Sequence, residues 1–99
     1  MTVRGSAFDG ARLVGFVLAS DDTRRGWINR IAVHPDFRRT GLASRLVVAA
    51  EEELRRRGMQ IIAALIEDYN TASRGLFEKS GYSYMPEVLY YSKRDSWDV

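Results

Sequence analysis

No cysteine occurs in these 99 residues. That excludes disulfides, thiolate metal sites and a cysteine nucleophile together. His34 is the single histidine, which argues against a Ser-His-Asp triad and against a multi-histidine metal site, and no metal is expected. No apolar run approaches the ~20 residues that span a bilayer. The opening Met1-Thr2-Val3-Arg4-Gly5-Ser6 has no apolar core of the kind a secretory signal carries. No membrane partner is expected, and a cytoplasmic location is. Strong charge of one sign is missing too. Fifteen basic and 13 acidic residues leave a net charge of +2, too little to imply nucleic acid as a partner. Repeats, low-complexity tracts and linkers are absent, so residues 1–99 read as one domain.

What is present is the patterning of an ordinary globular α/β chain. The hydrophobic share of 45% and charged share of 28% suffice for a core of its own. Residues 1–11, with Gly5, Ser6, Asp9 and Gly10, read as a loop or frayed start. Leu13 to Ser20 is a largely apolar strand, and Asp21-Asp22-Thr23 supplies turn chemistry. Gly26 to Val33 reads as the second strand of a hairpin. Its apolar residues do not alternate strictly, which predicts a bulge near Asn29-Arg30. His34-Pro35-Asp36 stops the strand, because proline removes a ladder donor.

Leu42, Leu46, Val47, Ala50 and Leu54 follow helical spacing to about Arg57, with Gly58 placed to end the helix. Their stripe is core. Glu51-Glu52-Glu53 and Arg55-Arg56-Arg57 read as paired charges on a solvated face. Ile61 to Ile66 suits a strand covered on both faces. Asn70 to Ser80 makes a short helix capped by Asn70 or Thr71 and ended at Gly81. A last strand is expected from about Met85 to Lys93. Trp27, Tyr90, Tyr91 and Trp97 read as core or interface aromatics. The resulting order is β–β–α–β–α–β, a mixed sheet with a right-handed crossover.

The junction before the long helix carries the most chemical information. Arg38-Arg39-Thr40-Gly41-Leu42-Ala43 is a basic, glycine-containing turn feeding a helix. Such a turn leaves backbone N–H groups unpaired, and the helix dipole adds positive potential there. It suits a diphosphate, with arginines at hand and no Cβ on Gly41 to hold a ligand off.

Three segments together resemble the GNAT acetyltransferase superfamily. Ile31-Ala32-Val33-His34-Pro35 resembles the family's fourth strand and its exit. Residues Arg38 to Ala43 match the Arg/Gln-x-x-Gly-x-Gly/Ala signature that binds acetyl-CoA. Asn70 to Tyr82 matches a later motif that usually reads Asn, then Leu-Tyr, Lys and Gly-Phe. The resemblance covers roughly Arg12 to Lys93 and implies an α/β (α+β) fold in which strands four and five splay into a notch for the pantetheine arm.

Several site residues follow from that resemblance. The strand segment Ile31, Ala32 and Val33 would meet the pantetheine through its backbone. The N–H groups from Arg38 or Arg39 through Thr40, Gly41, Leu42, Ala43 and Ser44 would hold the diphosphate. Asn70 would bond to the pantetheine, Phe77 would lie against its sulfur end, and Lys79 would meet the nucleotide. The implied activity is transfer of an acetyl group from acetyl-CoA (coenzyme A being the product) to a primary amine of a protein, a peptide or a small molecule.

The chemistry needs a neutral amine, donors for an oxyanion and a proton for the departing thiolate. The family often takes that proton from a tyrosine, where this chain has Phe77. A water, Tyr82 or Tyr84 would then serve. Asn29 cannot act as a base. Glu67 and Asp68 are the carboxylates nearest the notch, and Glu67 is either the base or a solvated strand-end residue. His34 has a suitable intrinsic pKa, near 6.5, but its place before a proline reads as an exposed turn.

The chain reads as a short member, without the strand and two helices with which the family usually begins, Leu13 matching the second strand. An open acceptor side and an exposed first strand edge then favour a homodimer. Two other classes remain: a CoA-binding module with little catalysis, and a basic nucleic-acid binder.

Overall fold

The computed structural model describes residues 2–96, with the side chains of Thr2 and Val3 left aside. Four strands form one sheet in the order β1-β2-β3-β4. They are β1 Thr2–Asp9, β2 Arg12–Asp21, β3 Arg25–Val33 and β4 Ile61–Ala63. Two helices, α1 Leu42–Arg56 and α2 Thr71–Lys79, complete the elements with a 3-10 turn at Pro35–Phe37.

The start of the chain differs from the expected loop. Thr2–Asp9 pairs antiparallel with β2 along its length. Counting back from β3 as the family's fourth strand, β2 is then the third and β1 the second. Its inward positions are the small residues Gly5 and Ala7, which carry no apolar signal. The space is already filled: a Cβ on Gly5 would stand 3.0 Å from Val17 Cγ1.

The hairpin of β2 and β3 forms as read, and Asp22 holds its turn. The Asp22 carboxylate accepts from the Arg24 and Arg25 N–H groups at 2.9 and 2.6 Å and from the Trp27 indole at 3.1 Å. The predicted bulge is present. Leu18 pairs with Arg30 and Ala19 with Ile28, which leaves Asn29 as the extra residue.

β4 is shorter than expected. It runs parallel to β3 through the pairs Arg25–Ile61, Gly26–Ile62 and Trp27–Ala63. Residues 64–66 then leave the ladder. The parting begins beside the bulge, and a bulged strand bends. The expected strand from Met85 to Lys93 does not form. Residues 82–94 lie outside any strand or helix, and Tyr84, Val88, Leu89, Tyr90 and Tyr91 are exposed. β-branched and aromatic residues fit a pleated surface but need a partner strand, and none of the described residues supplies one. Trp97 lies outside the described residues. The observed order is therefore β–β–β–α–β–α.

The core sits between the sheet and α1. Val14, Val17, Ala19 and Ile28 meet Leu42, Leu46, Val47, Ala50 and Leu54, with Met59 and Phe77 closing the ends. The approach is close at Gly26, where a Cβ would fall 2.7 Å from Leu54 Cδ1. α1 ends as read, with Gly58 in the left-handed region at φ 89°. Its outer face carries the expected pairing, Arg56 with Glu53 at 2.7 Å. Among the described residues, no helix is long and apolar enough to cross a membrane.

Candidate active site

Where β3 and β4 part, a cleft of about 210 Å³ opens. Residues 28–31 of β3 form one wall and residues 64–67 the other, with Asn70, Ser73 and Phe77 of the α2 region at the base. It lies at the C-terminal ends of two parallel strands, where open sheets commonly take ligands. A larger groove of about 340 Å³ lies between β1, β2 and α1. None of the expected site residues lines it.

The backbone of β3 faces the cleft in a defined way. His34 donates its N–H to the Val14 carbonyl at 2.7 Å. A trans peptide sends the Val33 carbonyl the opposite way, towards the open edge. Strand alternation gives Val33 and Ile31 the same outward direction. Ala32 turns instead to β2, where it is paired with Phe16.

The basic turn follows directly. His34 caps the 3-10 turn, its Nδ1 accepting the Asp36 N–H at 3.1 Å. The Arg38 N–H donates to the Pro35 carbonyl at 3.3 Å, so the expected amide of Arg38 is already engaged. Arg39 and Gly41 both adopt left-handed backbone, at φ 63° and 82°. Gly41 is the N-cap of α1 and gives it no side-chain cap. The first turn of α1 closes with the Arg45 N–H on the Gly41 carbonyl at 3.1 Å. No backbone partner is found among the described residues for the amides from Arg39 to Ser44. The guanidinium-bearing Arg38 and Arg39 are exposed beside them.

The β4–α2 connection is held locally. Asn70 donates its N–H to the Glu67 carbonyl at 2.9 Å. Its Oδ1 accepts the Ser73 N–H at 3.1 Å, capping α2. Asn70 lines the cleft, and its side-chain NH₂ has no hydrogen-bond partner among the described residues. Arg74 donates through Nη1 to the Asp68 carbonyl at 3.1 Å. Glu67 is exposed on the cleft wall. Phe77 is buried, and its ring meets that of Tyr82 edge to face at 5.0 Å.

Two expected residues stand elsewhere. Lys79 is exposed on the last turn of α2 and is not on the cleft walls. Tyr82 is not a cleft residue either. Its hydroxyl donates to Glu51 of α1 at 2.7 Å. Burial raises its pKa above the usual tyrosine value, helped by the bond to Glu51 and its charge. The hydroxyl of Tyr82 thus ties the segment after α2 to α1, away from the cleft walls. This contact spans 31 residues, and no local pattern announces it.

Some cleft residues were not singled out from the sequence. Ser73 and Ala64 reach the cleft because of how β4 ends and α2 begins. The sequence marks Asn29 as part of the bulge and as unable to act as a base. Its Nδ2 donates to Ser20 Oγ at 2.8 Å, which ties the bulge to β2. Arg12 reaches the basic turn from the start of β2, with no signal in its neighbours.

Comparison with known proteins follows this geometry. A family profile described as the acetyltransferase (GNAT) family matches residues 2–82. An acetyltransferase of Sodalis glossinidius, SG1711, is 33% identical over 82 residues, covering 83% of this chain and 58% of its own. The chain thus spans little more than half the length of that relative. A solved aminoglycoside N-acetyltransferase, AAC(6')-Iy in complex with CoA, is 25% identical with a TM-score of 0.81, covering 92% of this chain and 75% of its own. The same enzyme with a bisubstrate analogue, CoA-S-monomethyl-acetylneamine, gives a TM-score of 0.83 at 24% identity, covering 94% and 69%. By its profile match and its relatives, this chain belongs to the GNAT acetyltransferase family.

Proposed function

We propose that this chain carries the acetyl-CoA site of an N-acetyltransferase that acts on a primary amine. One observation carries the reading. The amides from Arg39 to Ser44 lack backbone partners, and they begin just past the strand that walls the cleft. Unpaired amides at a helix start, with a left-handed glycine among them, suit a diphosphate. The outward backbone of Ile31 and Val33 suits the amide-bearing pantetheine arm, as an added strand. The Asn70 side-chain NH₂ and the Phe77 ring would meet its far end. Arg38 and Arg39 add charge at the diphosphate, with Lys79 further out.

The amine attacks the thioester carbonyl and a tetrahedral intermediate forms. The outward N–H of Val33 stabilises its oxyanion. Collapse breaks the C–S bond and releases the CoA thiolate. The nitrogen gives up a proton to Glu67, directly or through water. A thiolate is a tolerable leaving group near neutral pH, so Phe77 in the usual tyrosine place is compatible with turnover.

Calorimetric titration with acetyl-CoA tests binding, and thiol release with a panel of amines and peptides tests transfer. Amide shifts at Arg39 to Ser44 are expected on binding, and their absence at saturating acetyl-CoA overturns the reading. Glu67→Gln should lower turnover and alter the pH–rate profile; an unchanged profile and turnover refute Glu67 as base. A second reading is a CoA-binding module without catalysis. The engaged hydroxyl of Tyr82 and the ring of Phe77 favour it, because neither offers the thiolate a proton. Binding without thiol release would establish that reading.

A homodimer is also proposed. Among the described residues, β1 ends the sheet with an unpaired outer edge, and Phe8 of β1 and its partner Leu13 of β2 are 62% and 51% exposed. A monomer by light scattering at tens of micromolar protein would refute it.

A further inference from the structure

We propose that Arg12 is a positioning residue for the diphosphate turn, locking residues 34–37 so that the amides from Arg39 onward are aimed before any ligand arrives. This rests on the reading of that turn as the acetyl-CoA site.

Apart from Phe37, which packs against the core, the turn has few ties to the rest of the molecule. Its own bonds are local: Asp36 N–H to His34 Nδ1, the Phe37 N–H to the His34 carbonyl at 2.8 Å, and the Thr40 hydroxyl to the Phe37 carbonyl. The His34 N–H fixes only its first residue to β2. Among the described residues, Arg12 makes the hydrogen bonds that reach its side chains from another element. Its Nη2 lies 3.3 Å from His34 Nδ1, the accepting nitrogen, and 3.3 Å from Asp36 Oδ2. Its guanidinium carbon sits 5.8 Å from the centre of the Phe37 ring. One planar cation thus touches three side chains on the two sides of Pro35: His34, Asp36 and Phe37.

Such a clamp has a reason to exist here. Arg39 carries a side chain in left-handed backbone at φ 63°, a conformation that relaxes when its surroundings loosen. A turn that samples other shapes binds more weakly in proportion to the competent fraction. Each Arg12 contact is exposed and individually weak. Their joint loss in Arg12→Ala should weaken CoA binding by about three- to tenfold. Arg12→Lys keeps the charge beside Asp36 but not the planar fork, so it should recover part of the loss.

The test compares CoA with pantetheine, which has no diphosphate. Both are titrated against the full chain by amide NMR, in wild type, Arg12→Ala and Arg12→Lys, after thermal melts establish folding. The expected result is weaker CoA binding with pantetheine binding unchanged, and intermediate CoA affinity for Arg12→Lys. Equal loss for both ligands, or CoA affinity within about twofold of wild type, overturns the proposal. Should wild type bind no CoA, the acetyl-CoA reading itself falls. Arg12 is then judged on ligand-free spectra. Broadened or shifted amides confined to residues 34–44 in Arg12→Ala support the clamp, and unchanged ones refute it.

Discussion

Replacing Gly41 tests separately what its backbone and its missing side chain contribute. Gly41 sits at φ 82°, and nothing lies within 4 Å of where a Cβ would stand. Alanine there meets no neighbour in the protein, so its penalty is backbone strain alone, about 1–2 kcal/mol. For a domain of this size each kcal/mol lowers the melting temperature by roughly 4–8 °C. Asparagine tolerates the left-handed region better than alanine. Gly41→Asn should therefore melt closer to wild type than Gly41→Ala does. Binding should not follow the same order. The open space beside Gly41 is where a diphosphate would approach the amides of Leu42 to Ser44, and either Cβ intrudes on it. Losing one hydrogen bond to a charged group is worth about 1.5–3 kcal/mol, or about ten- to a hundredfold in affinity. Thermal melts and calorimetric titration with acetyl-CoA read the two effects. If Gly41→Asn binds like wild type, close approach is not why glycine is there. If Gly41→Ala melts like wild type, the turn does not hold its left-handed form in solution.

Three further outcomes follow from the packing and the charges. Gly26→Ala should destabilise by about 1–3 kcal/mol through overpacking on Leu54, and Leu54→Ala by about 2–5 kcal/mol through a cavity. The double variant should lose less than their sum in urea unfolding, because the new methyl enters the space that Leu54 vacates; simple additivity refutes the contact. Tyr82→Phe should cost about 1 kcal/mol by losing the bond to Glu51 and leave acetyl transfer unchanged; a large drop in turnover with stability intact would make Tyr82 the acid. The Arg25 N–H, with the Trp27 indole and the Arg24 N–H, draws the Asp22 pKa down to about 2. A lowered carboxylate stabilises the fold above its ordinary value, near pH ~4, and that contribution fades as pH falls towards the folded value. The stability gap between wild type and Asp22→Asn should shrink over that interval, and a constant gap refutes the charge as its origin.

What could be read from the chain depended on whether the signal was local. The turn at Asp22, the stop at Gly58 and the cap at Asn70 each involve neighbours a few residues apart, and each forms as read. β1 escaped because its inward residues are small, Gly5 and Ala7, under a sheet face already filled by Val17. The final strand was over-read because aromatic and β-branched residues report a preference for a pleated surface, not the presence of a partner. The place of the Tyr82 hydroxyl is hidden for a related reason: its sequence neighbours put it near the motif, while Glu51, on another helix, decides where the hydroxyl goes.

The bulge joins the legible part to the cleft. Broken alternation at Asn29-Arg30 is visible in the bare sequence, and the structure puts the extra residue at Asn29. The last pair between β3 and β4, Trp27–Ala63, comes two residues before it. A regular β3 could keep its ladder with residues 64–66, whose apolar character suits a longer strand. The bend at the bulge ends that ladder, and the strand backbone it leaves unpaired is what the cleft presents. The same irregularity that spoiled the strand pattern therefore makes the site. Asn29, itself on the cleft wall, secures the bulge with its 2.8 Å bond to Ser20.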